Sequence, residues 1–393
     1  MMKAEIRISN IEIRNKSEIR IGKIPNRFIS CRFGNSHLFR VSSFGFRILI
    51  ALLFVLPVYA DDAAVEKAVK RGTEYLLSRQ DDDGAIGKVD RKNRDNSNAM
   101  TALAILALTA TGHQATDDTR EGRAVKKALV CILEEERQDR TGYFGKYDGS
   151  RMYGHGIVTL MLAEMLGMGL DARQDALIRE RCQKAIDLIV RVQKTPKSDQ
   201  RFHGGWRYTP EARDADLSVT VWQVMALRAA KNAGLNVPKE TIEDAIGYIK
   251  RSYRSDRDKG GRITNAKSGF AYEPGQWPVY STASEGLLAL QVCGEYDAPE
   301  LKGTVAWLRD EKIAAKHRWF YYGTYYYAQG MYQRGGDIAK EARAEVERVL
   351  LAEQKEDGSW IGQGEEANSR VYCTSLAMMS LSVRHHFMPI YQR

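Results

Sequence analysis

One pattern recurs six times along this chain: an amphipathic helix, a turn bearing Gly and aromatics, then a more apolar helix. The predicted pairs are 63–79 with 98–111, 122–136 with 153–168, and 175–193 with a helix from Leu217. Then come 239–253 with 281–293, 299–311 with 324–333, and 338–354 with 371–383. The stretch 204–234 carries the pattern in full. Asp214 and Asp216 stand just before its helix, where side-chain oxygens can take up unsatisfied backbone N–H groups. From Leu217 onward, Val219, Trp222, Met225, Ala226 and Ala229 follow at mixed three- and four-residue spacing, with no charge before Arg228. A helix apolar nearly all round is a buried one. The first helix of each pair is charged on one face, as at Arg123, Lys126, Lys127 and Glu134. One helix set therefore faces solvent and the other is buried, and no segment has a strand's pattern. Such hairpins can stack as an open solenoid or close into a ring. The last helix, 371–383, is as apolar as the others and no polar cap follows it. That favours closure, so the expected fold is all-α, an (α/α)6 toroid built from six helical hairpins.

The first 60 residues lie outside this pattern. Arg47 precedes the apolar run 48–56, and Val58-Tyr-Ala60 precedes Asp61. This is the order of a secretory signal peptide cut after Ala60, with 1–43 as an N-terminal extension. An uncleaved membrane anchor is the alternative, although the run is short for a span. Residues 1–60 hold ten Lys/Arg against three Asp/Glu, which is +7 of the chain's +9. The remainder is close to neutral, which gives no case for nucleic acid as a partner. Cys131, Cys182, Cys293 and Cys373 are far apart in sequence and three fall in apolar helical patterns. Buried thiols are expected rather than a disulfide framework.

The turns Gln138-Asp-Arg-Thr-Gly142-Tyr-Phe-Gly145 and Gln354-Lys-Glu-Asp-Gly358-Ser-Trp360 resemble the Q-x-x-x-G-x-W repeat of squalene and oxidosqualene cyclases, with Phe144 in place of one Trp. Met152-Tyr-Gly-His-Gly156 and Gly204-Gly-Trp-Arg-Tyr208 resemble the exported, single-toroid prenyltransferase/squalene-oxidase-repeat proteins of bacteria. The resemblance covers essentially all of 62–385. It implies one terpenoid cyclase/protein prenyltransferase-like α/α toroid over 61–393, in which the Gln and Trp of the repeat brace the outer helices.

In such a ring the starts of the inner helices meet at one mouth, where helix N-termini favour anions and polar groups. Class II terpene cyclases begin with a protonated Asp in a D-x-D-D motif. The matching stretch here is Asp214-Ala-Asp216-Leu217, with Asp216 at the proton donor's position and Leu217 replacing the adjacent acid. A capping role for Asp214 and Asp216 is the structural alternative. His155, on the first turn of an inner helix, is a candidate general acid/base or a histidine hydrogen-bonded at a helix start. Arg151, Tyr153, Arg370 and Tyr372 stand at the mouth as ligand contacts. Trp206, Trp222, Tyr280, Tyr322 and Tyr325 are the aromatic candidates, either lining a cavity or packing the core. Prenyltransferase-type zinc is not expected, because no D-x-C pair accompanies Cys373. No cofactor is expected.

The resulting expectation is an exported periplasmic or cell-envelope monomer whose central cavity takes an apolar, isoprenoid-like small molecule. If the protein is an enzyme, the resemblance implies cyclase or isomerase chemistry with Asp216 as the acid. A non-catalytic module with an envelope protein partner is one alternative. A carbohydrate-active α/α toroid is the other.

Overall fold

The computed structural model describes residues 62–87, 96–385 and 390. The chain divides into the units Met1–Leu56 and Pro57–Arg393, and all the described residues belong to the second. The signal-peptide and extension readings fall on 1–60, outside the described residues.

Among the described residues there are twelve α-helices and only isolated β-bridges. The outer helices are α1 (Asp62–Leu77), α3 (Arg120–Ile132), α5 (Ala172–Gln193), α7 (Lys239–Ser252), α9 (Pro299–Glu311) and α11 (Gly336–Glu353). The inner helices are α2 (Ser97–Ala110), α4 (Met152–Glu164), α6 (Leu217–Asn232), α8 (Tyr280–Val292), α10 (Phe320–Arg334) and α12 (Arg370–Leu381). Each inner helix packs on the next, and α12 packs back on α2, so the ring is closed. Every residue of α2 and of α8 is buried, whereas α3 buries only one stripe. This is the division that the charge pattern predicts. The structure differs from the sequence reading at 319–323. These residues are expected in a turn, but Trp319 is the left-handed residue (φ 58°) from which α10 starts at Phe320. The aromatic run therefore lies on the helix. Cys131, Cys182 and Cys373 are buried thiols and Cys293 is half-buried.

The repeat turns are brackets made by one side chain. Gln80 Nε2 donates to the Gly84 carbonyl at 3.1 Å and to that of Ala124 in α3 at 2.9 Å. Gln138 does the same to Gly142 and to Arg181 in α5. Gln193 reaches Gly204 and Thr241 in α7, and Gln354 reaches Gly358 and Ala68 in α1. Each bracket thus ties its turn to the following outer helix, and the last ties the end of the chain to its beginning. The turn position must be glycine. Gly84, Gly142, Gly204 and Gly358 all have φ between 83° and 94°, and a Cβ on any of them would run into a backbone carbonyl of that next helix.

Neighbouring turns also cap the inner helices. Asp148, in the second turn, accepts the N–H groups of Asn98 and Ala99 at the start of α2. Glu366, in the last turn, accepts those of Tyr321 and Tyr322 at the start of α10. Orphan N–H groups of one repeat are thereby met by carboxyls of the next.

Gln354→Ala would leave the carbonyls of Gly358 and Ala68 without their donor at the seam that closes the ring. The expected cost is about 1–3 kcal/mol in urea unfolding. A loss under about 0.5 kcal/mol, the range of an ordinary surface substitution, would show that the bracket is idle.

Candidate functional site

The site grows from the turn before α6. Asp216 is the N-cap of this helix, and its Oδ1 accepts the Val219 N–H at 2.8 Å. The capping expectation therefore holds for Asp216, whose side chain has no exposed surface. Asp214 caps nothing in this helix. It is 42% exposed and pairs with Arg207 at 3.4 Å. Arg207 is the hub: its guanidinium also lies 3.5 Å from Asp216 Oδ2 and 2.9 Å from Glu273 Oε1. It is flanked by the rings of Tyr208 and Tyr272, whose hydroxyls bond each other. Asp216 Oδ2 has no directed hydrogen bond. The Arg207 contact is long, and the Tyr272 hydroxyl beside the carboxyl is shared with that of Tyr208.

Three carboxylates around one cation cannot all be compensated. Asp216 is the buried one, and burial pushes its carboxyl up to about 7, against the lowering by the Val219 N–H, Arg207 and the Tyr272 hydroxyl. Asp216 therefore keeps its proton up to about pH 7, well above an ordinary carboxyl, beside a cation close enough to stabilise the anion left behind.

Inward from Asp216 the wall is aromatic. Trp222 stacks on Tyr325 with ring centres 6.0 Å apart and lies 6.4 Å from Tyr322 and 5.8 Å from Tyr326. The Tyr322 hydroxyl donates to the Ser218 carbonyl at 3.4 Å. The Ser218 hydroxyl in turn donates to Glu285 Oε1 at 3.1 Å. Glu285 is fully buried, and burial holds its carboxyl well above the ordinary range, which favours its neutral form. Tyr153 and Tyr372 are half-buried, and their phenols feel the field of Glu285. Of the residues singled out in the sequence, the structure brings Tyr153, Asp216, Trp222, Tyr322, Tyr325 and Tyr372 to one region.

Others are placed elsewhere. His155 has both ring nitrogens on backbone: Nδ1 accepts from Phe144 N–H at 3.3 Å and Nε2 meets the Ala185 carbonyl at 3.2 Å. Burial lowers it to about 4, so it is neutral. It occupies the place that Thr101, Thr220 and Thr374 fill in other repeats, where a hydroxyl accepts the turn N–H of Ile86, Trp206 and Trp360. The structure corrects the acid/base reading of His155, because neither nitrogen is free to move a proton. Trp206 is also corrected as a ligand contact, being fully buried with its indole N–H on the Ile189 carbonyl at 2.9 Å. Tyr280 is stacked on His317 and linked to Thr324. Arg370 pairs with Asp357 at 2.7 Å, and Arg151 is exposed at the start of α4 with φ 55°.

Sequence reasoning missed Arg207, Glu273, Tyr272, Ser218, Tyr326 and Glu285. The legible signal was Glu285, the sole charge in α8. Two pockets described by the structure lie away from this region. One of about 20 Å³ sits between α10, α11 and α12 beside Arg343 and Glu347. The other, of about 320 Å³, runs along α5 beside Asp187, Arg191 and Pro238.

Neither family models nor curated protein sequences give a match to this chain. Solved structures do. The apo type II terpene cyclase MstE from Scytonema superposes with a TM-score of 0.54 at 13% identity, covering 84% of this chain and 100% of that one. A variant of the same cyclase in complex with its substrate, geranylgeranyl dihydroxybenzoate, gives 0.53 at 14% identity, covering 84% and 98%. The inactive α-1,6-mannanase GH76A of Salegentibacter sp. HEL1_6 with α-1,6-mannotetrose gives 0.55 at 11% identity, covering 82% and 98%. At such identity these likenesses establish the fold. The chain is an α/α toroid, of the architecture found in both a terpene cyclase and a glycoside hydrolase.

Proposed function

We propose that the ring takes an apolar, isoprenoid-like ligand through the mouth beside Asp216, and that Asp216 donates a proton to a carbon–carbon double bond of it. The observation that carries this reading is a fully buried Asp216, its carboxyl pushed up to about 7, on the helix whose Trp222 packs with Tyr322, Tyr325 and Tyr326. In the step, the π pair of the alkene takes the Oδ2 proton to form a C–H bond, and the positive charge falls on the neighbouring carbon. The aromatic faces stabilise that cation. The Asp216 carboxylate left behind is stabilised by Arg207 and the Val219 N–H. Ring closure and return of a proton make the net change an isomerisation.

The test is incubation with geranylgeranyl dihydroxybenzoate and with squalene, followed by mass spectrometry for a product of unchanged mass. Asp216→Asn is run alongside. An isomer is expected, formed about 100-fold more slowly or worse by the variant. Binding without turnover makes the protein a carrier and removes the acid role. Failure to bind either probe ends the isoprenoid reading.

A second reading rests on a different observation. Tyr147, Tyr208 and Trp277 are exposed on the loops that lead into α4, α6 and α8, with Tyr208 close in sequence to Asp214 and Trp277 close to Glu273. Aromatics beside carboxylates suit a sugar-stacking rim. Binding of α-1,6-mannotetrose, with the prenyl probes rejected, would select this reading.

A further inference from the structure

Further into the ring than Asp216, roughly one and a half turns along α8, two polar groups are left without partners. Glu285 Oε2 and the Tyr326 hydroxyl are both buried and neither makes a directed hydrogen bond. The nearest candidates are already committed. The Ser218 hydroxyl points at Glu285 Oε1, and the Tyr322 hydroxyl, close to that of Tyr326, is turned to the Ser218 carbonyl. The two orphans are neighbours. Burial raises the Tyr326 phenol, and the Glu285 carboxyl beside it raises it further. The same carboxyl acts on Tyr153 of α4, Tyr322 of α10 and Tyr372 of α12. With Ser218 on α6, four other inner helices bring a side chain to Glu285 of α8, so five of the six meet there. Only the ring axis is common to all five, so Glu285 faces the space that a ligand in the ring would occupy.

Each orphan costs about 1–3 kcal/mol if nothing answers it. Native proteins leave few such groups, and those they leave call for a reason. Here the chemistry is specific. Burial favours the neutral form of Glu285, and with the Ser218 hydroxyl on Oε1 the proton belongs on Oε2. Glu285 and Tyr326 thus present two O–H donors side by side on α8 and α10. A single carbonyl oxygen, with two lone pairs, can accept both. A neutral carboxylic acid and a phenol sharing one acceptor oxygen is an arrangement that an apolar site makes strong.

We propose that Glu285 and Tyr326 hold a carbonyl-type oxygen of the ligand, so that the toroid takes an isoprenoid chain bearing a ketone, quinone or ester group rather than a bare hydrocarbon. The inference rests on the reading of an apolar ligand in the ring and adds the polar group by which that ligand is recognised.

The probes are geranylgeranylacetone, an isoprenoid ketone, and phytane, an isoprenoid hydrocarbon, titrated into the full chain in the same detergent. The ketone is expected to bind about tenfold tighter or more. Tyr326→Phe and Glu285→Met should each lose about three- to tenfold of the ketone affinity and leave phytane binding unchanged. Glu285→Gln keeps an N–H donor and should retain most of it. The carbonyl stretch of the bound ketone, lowered in frequency by the two donors, should move back up in both Tyr326→Phe and Glu285→Met. Tyr326→Phe deletes only an unanswered buried hydroxyl and should not lower the melting temperature, whereas Glu285→Met also takes the acceptor from the Ser218 hydroxyl and should lower it slightly.

Unchanged ketone affinity in Tyr326→Phe and Glu285→Met overturns the proposal, and a lowered melting temperature of Tyr326→Phe alongside it assigns that hydroxyl to packing. Equal affinity for phytane and ketone overturns this inference alone. If the protein binds neither probe, the isoprenoid reading falls and this inference with it.

Discussion

Trp360→Ala is expected to lower the free energy of unfolding by about 3–5 kcal/mol. Trp360 has no exposed surface, so the truncation opens a cavity that the helices around it can fill only in part. Its indole N–H donates at 2.8 Å to the carbonyl of Leu350, one of the last four of α11 and therefore without an intrahelical donor. Its backbone N–H is held by Thr374 of α12 at 3.1 Å. Its ring lies against Gly72 of α1, where a Cβ would come within 3.0 Å of Cζ3. One residue thus joins the last outer helix, the last inner helix and the first outer helix at the seam of the ring. Trp360→Phe separates these contributions. It keeps an aromatic ring, as Phe144 does in the second repeat, and loses only the N–H, for an expected cost of about 1–2 kcal/mol. Urea unfolding of the two variants decides the matter. If phenylalanine costs as much as alanine, the cap on Leu350 dominates and the packing argument fails.

The toroid was legible because its two helix sets differ in composition. A buried inner helix cannot carry charge without cost, so α2, α6 and α12 stand out as apolar runs, and Gln-x-x-x-Gly marks three of the four bracketed turns. Closure was legible from the missing polar cap after 371–383. The site was only half legible. Asp216 announces itself by standing before an apolar helix, but its proton does not. That proton follows from burial in the packed ring, which outweighs the pull of Arg207, a cation Asp216 shares with Asp214 and with Glu273, 57 positions further along the chain. Glu285 could be seen as a lone acid in α8, yet nothing local predicts Ser218 and Tyr326 around it. Reading 319–323 as a turn also hid the phase of α10, and with it which tyrosines share a face. His155 misled for the opposite reason. A histidine on the first turn of a helix invites a chemical role, but here it fills the position that threonine holds in three other repeats.

The protonation of Asp216 should be visible in stability alone, without any ligand. Its carboxyl sits at about 7 in the native state against an ordinary 3.8. Below the ordinary value both states hold the proton and its contribution is fully present. As pH rises from there, the unfolded chain ionises while the native state must keep the proton, so stability is lost until pH passes about 7. Over pH 5 to 8 the loss is about 3 kcal/mol at roughly 1.4 kcal/mol per unit. Burial sets this shift, the Val219 N–H, Arg207 and Tyr272 oppose it, and Glu273 adds to it, while Asp214, Tyr153, Tyr248 and Glu285 are the other titratable groups that face the site. Glu366, up to about 7, and Glu164, up to about 8 through burial, push stability in the same direction, so the wild-type slope is not that of Asp216 alone. Asp216→Asn isolates its share. Asparagine keeps an oxygen for the Val219 N–H and caps helices as well as aspartate does, while its amide does not titrate. Urea unfolding of both proteins at pH 5 and pH 8 should therefore show the variant gaining about 3 kcal/mol on the wild type between the two values. Parallel pH profiles would mean that Asp216 is ionised throughout, paired with Arg207. The proton on which the proposed chemistry depends would then be absent.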